Sequence, residues 1–263
     1  MNILVTGCNG QLGREFQKIS NIHNYHNWIF TDINELDICN EHSVNTFFSN
    51  NPKDVCINCA AYTAVDKAEE EEDKARNINA NAVLNLANAC KSSNSLLIHI
   101  STDYVFDGTS ERPYTETDPI SPNSVYGKTK AEGEQNVLSS GCSYILGRPS
   151  RLFASYGNNF VNTLLRLGPE KEFVNVFDDQ NGNPTWAYDL ANAILLLIQR
   201  FENNEVKEIF HYSNEGTIPW NNFAEAIFYI GNKNCEVKPI STKEYGSKAN
   251  RPAFSALDKT KIK

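Results

Sequence analysis

The chain has 263 residues, 40% of them hydrophobic, and its 24 basic and 32 acidic side chains give a formal net charge of -8. This length and composition predict a packed α/β domain with a smaller lobe, and the acidic balance argues against a nucleic-acid partner. No apolar run approaches the roughly 20 residues of a membrane span. No signal peptide precedes the first strand, so we expect a cytoplasmic protein without a membrane partner.

A glycine-rich turn near the N-terminus is typical of a dinucleotide site. A strand at Asn2–Thr6 is followed by Gly7, Gly10 and Gly13, and a helix is predicted at Arg14–Ile19. Glycines in such a turn allow a tight bend, leave room for a pyrophosphate and let the helix pack closely on the sheet. The N–H groups at the helix start would then face the phosphates.

An acidic residue ends the second predicted strand, Trp28–Asp32. Asp32 lies nineteen positions after Gly13, where a carboxylate typically accepts hydrogen bonds from the adenosine ribose. Asp32 therefore favours NAD(H) over NADP(H), whereas Arg14 could pair with a 2′-phosphate and oppose that preference. In the simpler interpretation, Asp32 merely opens a turn. Asp37-Ile38 follows another short turn, where the adenine could lie.

The third predicted strand, residues 54–60, carries a C-x-x-C formed by Cys56 and Cys59. Positions three apart on a strand face opposite sides, so we interpret these as reduced thiols and not as a metal or redox pair. The strand ends in Ala60-Ala61-Tyr62-Thr63. Small residues there would let a cofactor lie across the strand ends.

Helices and strands continue to alternate downstream. Residues 64–91 have apolar positions at helical spacing, and the five acids of 69–73 are predicted to form a solvated face. A fourth strand follows at Leu96–Ile100, in which His99 is interpreted as a core histidine, and a fifth at Ser143–Leu146. This alternation predicts a doubly wound, mostly parallel Rossmann sheet with ligands beyond the carboxyl ends of its strands.

A Thr, a Tyr and a Lys follow the fourth strand. Thr102 stands at the end of that strand, and Tyr126 and Lys130 lie four apart on a helix that Ser124 can cap. A free phenol has a pKa of about 10, and an adjacent ammonium would lower it toward the working range of a proton donor. The alternative is an ordinary surface pair of a Tyr and a Lys.

The later half of the chain predicts the smaller lobe. Its predicted elements are helices at 164–167, 188–201 and 219–230 and strands at 173–177 and 209–212, the last rejoining the main sheet. We predict a dinucleotide-binding domain of residues 1–148 plus about 185–213. Residues 149–184 plus 214–263 would form the substrate-binding lobe.

Taken together, these stretches resemble the extended short-chain dehydrogenase/reductase superfamily and, within it, the dTDP-4-dehydrorhamnose reductase family. The matching stretches are Val5–Gly13, Ala60–Glu69, Ser101–Gly108, Tyr126–Glu134, Gly157–Val161, Asp179–Thr185 and Arg251-Pro252. The resemblance implies NADH or NADPH as cofactor and a dTDP-sugar as substrate. The implied reaction is reduction of the C4 ketone of dTDP-4-dehydro-6-deoxy-L-mannose to dTDP-L-rhamnose.

The same resemblance implies a role for each site residue. Tyr126 would give a proton to the developing alkoxide, Lys130 would hold the nicotinamide ribose, and Thr102 would donate to the same oxygen. Asp103 would touch the sugar. The implied cofactor-binding residues are Gly7, Gly10, Gln11, Leu12, Gly13, Asp32, Asp37, Ile38, Ala60, Ala61, Tyr62, Thr63, Tyr126 and Lys130.

One position departs from the family pattern, and another matches only part of a metal site. Arg151 stands where relatives usually have a Trp against the sugar, so it could reach the substrate diphosphate or be a surface arginine. Glu15 matches one acid of a magnesium site at a dimer contact of some relatives, but its partners are not evident, so the metal stays unassigned. A homodimer is possible.

Two other functions remain open at this stage. A dehydratase or epimerase of another nucleotide sugar would share the fold, but dehydratases usually carry an acid two residues after the Thr, where this chain has Tyr104. A non-catalytic regulatory subunit resembling this family is the other alternative. The intact Thr102, Tyr126 and Lys130 count against it.

Overall fold

The computed structural model describes residues 1–201 and 205–263. The strands of this part are β1 (Asn2–Thr6), β2 (Asn27–Thr31), β3 (Val55–Asn58), β4 (Leu96–Ile100), β5 (Tyr144–Pro149), β6 (Leu152–Phe153), β7 (Phe173–Phe177), β8 (Asn181–Gly182), β9 (Thr185–Trp186), β10 (Lys207–Tyr212), β11 (Ile218–Pro219) and β12 (Glu236–Ile240). The helices are α1 (Gln11–Ser20), α2 (Glu41–Asn50), α3 (Val65–Ala68), α4 (Glu72–Arg76), α5 (Ala82–Ser93), α6 (Val125–Ser140), α7 (Phe160–Leu167), α8 (Ala187–Arg200), α9 (Trp220–Ile230) and α10 (Thr242–Tyr245).

The main sheet has six parallel strands in the order β2-β1-β3-β4-β5-β10. The chain leaves β1 toward β2 and returns to the other side of β1 for β3, so the strand order reverses between β1 and β3. Such a reversal opens a crevice at the carboxyl ends of the strands, where ligands bind in open α/β sheets. The predicted Rossmann architecture is confirmed, including the return of residues 209–212 to the sheet.

Helices cover both faces of this sheet, as the continuous apolar strands require. Ile3 and Val5 of β1 face one hydrophobic cluster, which also contains buried residues of α1 and α8. Leu4, between them, faces a second cluster built with α2 and α5. All three side chains are fully buried. The alternation along β1 therefore places one layer of helices on each side of the sheet.

A smaller lobe has its own hydrophobic cluster. Strand β7 pairs in parallel with β12, with Val174 opposite Val237. Leu164 of α7 and Phe228 of α9 pack with Val174 in this cluster. The prediction of a second, smaller lobe in the later half of the chain is thus confirmed. The residue boundaries given for the two units remain a prediction.

The long helix predicted for residues 64–91 is interrupted in the structure. Helices α3 and α4 are separated by a turn, and a π-helical turn at Asn77–Asn81 joins α4 to α5. The acids at the first break make specific contacts: Glu69 accepts a hydrogen bond from the Val125 N–H at 2.9 Å, and Glu71 accepts one from the Tyr62 hydroxyl at 3.0 Å. Glu70, Glu72 and Asp73 are exposed, so the prediction of a solvated face holds for them, whereas Glu69 and Glu71 are half-buried in these contacts.

The two thiols of the C-x-x-C lie on opposite faces of the sheet, as predicted. Cys56 is in the cluster with α2 and α5, and Cys59 packs against the cluster with α1 and α8. All seven cysteines are free thiols. Within residues 1–201 and 205–263, no helix is long and apolar enough to cross a membrane.

Acidification is expected to destabilise the protein, because His99 and His211 are buried as neutral rings. Burial lowers the pKa of His99 well below its usual value, and burial and the Arg148 charge lower the pKa of His211 to about 4. Between about pH 6.5 and 4 the unfolded chain binds protons that the folded chain does not. The free energy of unfolding therefore decreases as the pH is lowered, by up to about 1.4 kcal/mol per pH unit for each histidine.

Urea unfolding midpoints measured at about pH 7.5 and about pH 5 check this expectation. The His211→Gln variant, which has no imidazole at that position, should lose less stability over the same interval than the unsubstituted protein. Equal midpoints at both pH values would contradict the assignment of two neutral buried histidines.

Candidate active site

The glycine turn packs against the start of the segment that follows β3. Gly7 has a φ of +62°, and a Cβ added there would lie 2.6 Å from the Ala60 nitrogen. A Cβ at Gly13 would lie 2.4 Å from the Gly7 oxygen, so α1 can approach β1 only without a side chain there. The turn and the close helix–sheet contact expected of these two glycines are both present.

Gly10 is the open position of this turn. It is exposed, and a Cβ added there would meet one non-neighbouring protein atom within 4 Å, the Gly7 oxygen at 3.2 Å. Gly10 is also the N-cap of α1, and no side chain caps that helix end. The N–H groups of the first helical turn therefore have no side-chain acceptor, which fits a dinucleotide pyrophosphate.

Asp32 lies beside the glycine turn. Its two carboxylate oxygens accept hydrogen bonds from the Asn9 N–H at 3.0 Å and the Ile33 N–H at 2.9 Å. Asp32 thus links the end of β2 to the turn, and its negative charge stands at the edge of the candidate dinucleotide groove. The guanidinium of Arg14 donates to the Asn9 oxygen at 3.1 Å, so the one cation predicted to oppose Asp32 lies at the same turn.

Two of the predicted cofactor-binding side chains are in the core instead of in an open groove. Leu12 is 4% exposed in the cluster beneath α1, and Ile38 is 7% exposed in the cluster with α2. Asp37 is exposed and accepts a hydrogen bond from the Cys39 N–H at 2.9 Å. Only the backbone of Leu12 and Ile38 could then contact a nucleotide, because their apolar side chains complete the core.

Thr102 and Tyr126 meet at the carboxyl end of β4. The Ser124 side chain caps α6 by accepting from the Gly127 N–H at 3.1 Å, as predicted, and this sets the helix start one turn before Lys130. The Thr102 hydroxyl is near enough to the Tyr126 phenol to lower its pKa, against a larger rise caused by burial, while that hydroxyl donates a hydrogen bond to the Asp103 carboxylate at 3.1 Å. Tyr126 also packs in one hydrophobic cluster with Tyr62, which follows the strand end touched by the glycine turn.

Lys130 is buried, but its ammonium does not act on Tyr126 in the way predicted. The ammonium donates to the Ile100 carbonyl oxygen at 2.6 Å. Burial raises the pKa of Tyr126 above its usual value, and the contact with Thr102 lowers it by less. The prediction that Lys130 lowers the pKa of Tyr126 was therefore wrong for this structure: the phenol is protonated at neutral pH. Burial also lowers the pKa of Lys130 to about 8.

Asp103 is enclosed by hydroxyl groups. It is 2% exposed, and its carboxylate accepts from the Thr102 hydroxyl at 3.1 Å and the Ser150 hydroxyl at 2.8 Å. Burial raises the pKa of Asp103, against hydrogen bonds from Ser255, Ser150 and Thr102 that lower it. Asp103 thus orients the Thr102 hydroxyl, and its predicted contact with a sugar stays a prediction.

Arg151 is not a surface arginine. Its guanidinium donates to the carbonyl oxygens of Ile218 and Gln180, both at 2.7 Å, and lies 4.1 Å from the centre of the Trp220 ring. Burial lowers the pKa of Arg151 to about 10. The side chain is therefore held in the smaller lobe, and a contact with a substrate diphosphate remains a prediction.

Asn79, in the π-helical turn, is a site residue that the sequence did not predict. Its side chain accepts from the Tyr62 N–H at 2.8 Å and donates to the Tyr62 carbonyl oxygen at 3.1 Å and to the Thr129 hydroxyl at 3.2 Å. It thus joins the predicted cofactor segment to α6. An Asn within an Asn-rich helical stretch gives no sequence signal for this role, because the contact depends on the wider turn.

The comparisons identify the family. A family model described as the RmlD substrate binding domain matches residues 1–263. The dTDP-4-dehydrorhamnose reductase of Aggregatibacter actinomycetemcomitans is 41% identical over 268 residues, which cover 99% of this chain and 91% of that protein. The chain belongs to the dTDP-4-dehydrorhamnose reductase family.

Solved structures of this reductase family agree with the fold throughout the chain. A dTDP-4-dehydrorhamnose reductase from Clostridium acetobutylicum is 43% identical with a TM-score of 0.93, and the match covers 98% of this chain and 90% of that one. The Bacillus anthracis enzyme, solved in complex with NADP, is 38% identical with a TM-score of 0.94, covering 99% and 91%. The match with the family therefore includes both the Rossmann sheet and the smaller lobe.

Glu15, the residue predicted to match one acid of a magnesium site, is enclosed in the core. Glu15 is fully buried, with neither carboxylate oxygen hydrogen-bonded, and the Lys18 ammonium lies 3.5 Å away. Within the two described ranges, no group of three or more His, Cys, Asp or Glu side chains could hold a metal ion.

Proposed function

We propose that this protein reduces the C4 ketone of dTDP-4-dehydro-6-deoxy-L-mannose to the alcohol of dTDP-L-rhamnose, with NADH or NADPH as the hydride source. Membership of the dTDP-4-dehydrorhamnose reductase family supports the substrate and the reaction type. The single observation that carries the chemistry is that Thr102, Tyr126 and Lys130 lie together at the carboxyl end of β4, where the Lys130 ammonium donates to the Ile100 carbonyl oxygen.

Reduced nicotinamide, when bound, supplies the hydride to C4 of the sugar. Tyr126 gives its phenolic proton to the C4 oxygen as negative charge develops there. The Thr102 hydroxyl, which donates to Asp103 in this structure, turns to donate a hydrogen bond to the same oxygen. The raised pKa of Tyr126 suits this direction of reaction. The phenol carries its proton at neutral pH, and an alkoxide is a much stronger base than a phenolate.

Lys130 holds the nicotinamide ribose. Its ammonium currently donates to the Ile100 oxygen, at the end of the strand that carries Thr102. A lysine with a pKa of about 8 also exchanges its proton readily near neutral pH, so it can help to return a proton to Tyr126.

The glycine turn and Asp32 would bind the dinucleotide. Gly10 has no side chain, so a pyrophosphate could approach its backbone. The Asp32 carboxylate, which is bonded to the glycine turn, would accept hydrogen bonds from the adenosine ribose. The Asp32 charge favours NADH, whereas Arg14 at the same turn offers a cation to a 2′-phosphate, and a relative was solved with NADP. Both cofactors are therefore expected to support turnover.

A substrate-dependent assay tests this function. Purified protein should oxidise NADH or NADPH, followed by the loss of nicotinamide absorbance, only when the 4-keto dTDP-sugar is added. The product should be dTDP-L-rhamnose by mass and by comparison with an authentic standard. Absence of turnover with either cofactor, from protein that binds NADPH, would favour the non-catalytic regulatory alternative.

The cellular setting is also proposed. The seven free thiols support a cytoplasmic location, because reducing compartments keep cysteines unpaired. A homodimer remains a prediction from the family resemblance.

A further inference from the structure

Three consecutive residues at the exit of β4 face α6, and two of them are hydrogen-bonded to it. The Ile100 carbonyl oxygen accepts from Lys130 at 2.6 Å, and the Thr102 hydroxyl is near enough to Tyr126 to lower the pKa of its phenol, against the larger rise caused by burial. Between them, the Ser101 hydroxyl donates to Glu134 at 2.5 Å. The three α6 partners are spaced by four residues and so lie along one face of the helix. Glu134 is the partner that the proposed reaction does not use.

Glu134 is held from a third element as well. The Arg148 guanidinium, on β5, donates to both Glu134 carboxylate oxygens, at 2.9 and 2.6 Å. Their side chains are 4% and 2% exposed, so this is a buried, bidentate ion pair. The pair joins α6 to β5, and the Ser101 contact joins the same carboxylate to β4. Removing one partner would leave the other charge buried and unpaired.

We propose that Glu134 is a positioning residue for the reaction. Held by Arg148, it keeps Ser101 against α6 and so aligns Thr102 with Tyr126. It also places a negative charge beside the Lys130 ammonium. This inference rests on the proposed function, because it assigns Glu134 a role in the same site. Glu134 would not touch the substrate. It would act through the geometry of β4 and the charge state of Lys130.

The titratable and charged groups around Lys130 determine the pKa of its ammonium. On α6, the Glu134 carboxylate raises the Lys130 pKa against the larger lowering by burial, and Tyr126 is a neutral phenol. On β4, His99 is neutral, because burial and the Lys130 charge lower its pKa. Arg148, on β5, pairs with the same Glu134 carboxylate. Loss of the Glu134 charge should therefore lower the Lys130 pKa further.

The Glu134→Gln variant tests the charge. Glutamine keeps an acceptor for the Ser101 hydroxyl but removes the negative charge. The alkaline limb of the kcat/KM profile, expected near pH 8 from Lys130, should move down by about one pH unit. The matched control is Glu132→Gln on the same helix, whose half-exposed carboxylate pairs with Arg76 and should leave the limb in place.

Two further variants keep the test decisive if Glu134→Gln folds poorly. The double variant Glu134→Met with Arg148→Met removes both buried charges, so it should melt close to the wild type and still show the shifted alkaline limb. Ser101→Ala keeps the ion pair and removes only its link to β4. Its kcat should fall at least about fivefold with the alkaline limb unmoved, since one buried hydrogen bond is lost.

A wild-type alkaline limb in a folded Glu134→Gln or double variant would overturn the charge role, and wild-type kcat in Ser101→Ala would overturn the alignment. Failure of the proposed function is a separate outcome. It would appear as absent turnover in the unsubstituted protein and in Glu132→Gln.

Discussion

The Tyr126→Phe variant is expected to lower kcat by about 10²- to 10⁴-fold, the usual range for removal of a general acid. The ring is 9% exposed and packs with Tyr62, so a phenylalanine fills the same space. Without the phenol, nothing at that position can protonate the C4 oxygen while charge develops on it. The measurement is steady-state reduction of the 4-keto dTDP-sugar with NADPH.

Binding and stability separate this effect from misfolding. The variant should bind NADPH within about threefold of the wild type, because the lost hydroxyl makes no contact with the glycine turn. Its melting temperature should also stay close to that of the wild type. A Tyr126→Phe protein that turns over at the wild-type rate would remove Tyr126 from the role of proton donor.

The second large effect is expected at the glycine turn, where two alanine substitutions should fail in different ways. Gly13→Ala should destabilise the fold by at least about 2 kcal/mol, because its Cβ would lie 2.4 Å from the Gly7 oxygen and 2.5 Å from the Cys8 Cα, both backbone atoms. Gly10→Ala should fold almost normally, because its backbone angles suit any residue and its Cβ meets only the Gly7 oxygen at 3.2 Å.

Cofactor titration distinguishes the two variants. Gly10→Ala should bind NADPH at least about tenfold more weakly than the wild type, because its methyl group would occupy the space proposed for the pyrophosphate. Thermal unfolding measures the loss of stability expected in Gly13→Ala. Fluorescence titration with NADPH measures the loss of cofactor affinity expected in Gly10→Ala. A Gly10→Ala protein with unchanged affinity for NADPH would place the dinucleotide elsewhere.

The sequence predicted the elements whose signals are local. Strands β1, β4 and β7 begin and end at the predicted residues, because apolar runs of strand length lie between turn-forming or polar residues. The cap at Ser124 was predictable for the same reason, since a side-chain oxygen three residues before a helical N–H is a local arrangement. These features depend on a few neighbouring positions.

Contacts between distant segments decided what the sequence could not predict. The helix is interrupted after Ala68, where Glu69 accepts a hydrogen bond from the first N–H of α6, and again at the π-helical turn that packs against α6. Helical periodicity encodes neither contact. The partner of Lys130 was also missed, because helical spacing places an ammonium near a phenol but says nothing of the Ile100 carbonyl on a neighbouring strand.

Packing also decided the orientation of side chains to which a sequence motif assigned a binding role. Ile38 follows the second strand as the adenine site would require, yet its side chain completes the core beneath α2. Arg151, interpreted as reaching a diphosphate or lying on the surface, instead donates to two backbone carbonyls of the smaller lobe. In both cases the three-dimensional packing determines where the side chain points.

The most direct test of the proposed chemistry is the distance between the Tyr126 hydroxyl oxygen and the sugar O4. It can be measured in a crystal structure with NADP⁺ and dTDP-L-rhamnose bound. We predict a hydrogen bond of about 2.6–3.2 Å, with C4 facing the nicotinamide ring. An O4 that contacts another donor, with the Tyr126 hydroxyl several ångströms away, would contradict Tyr126 as the proton donor.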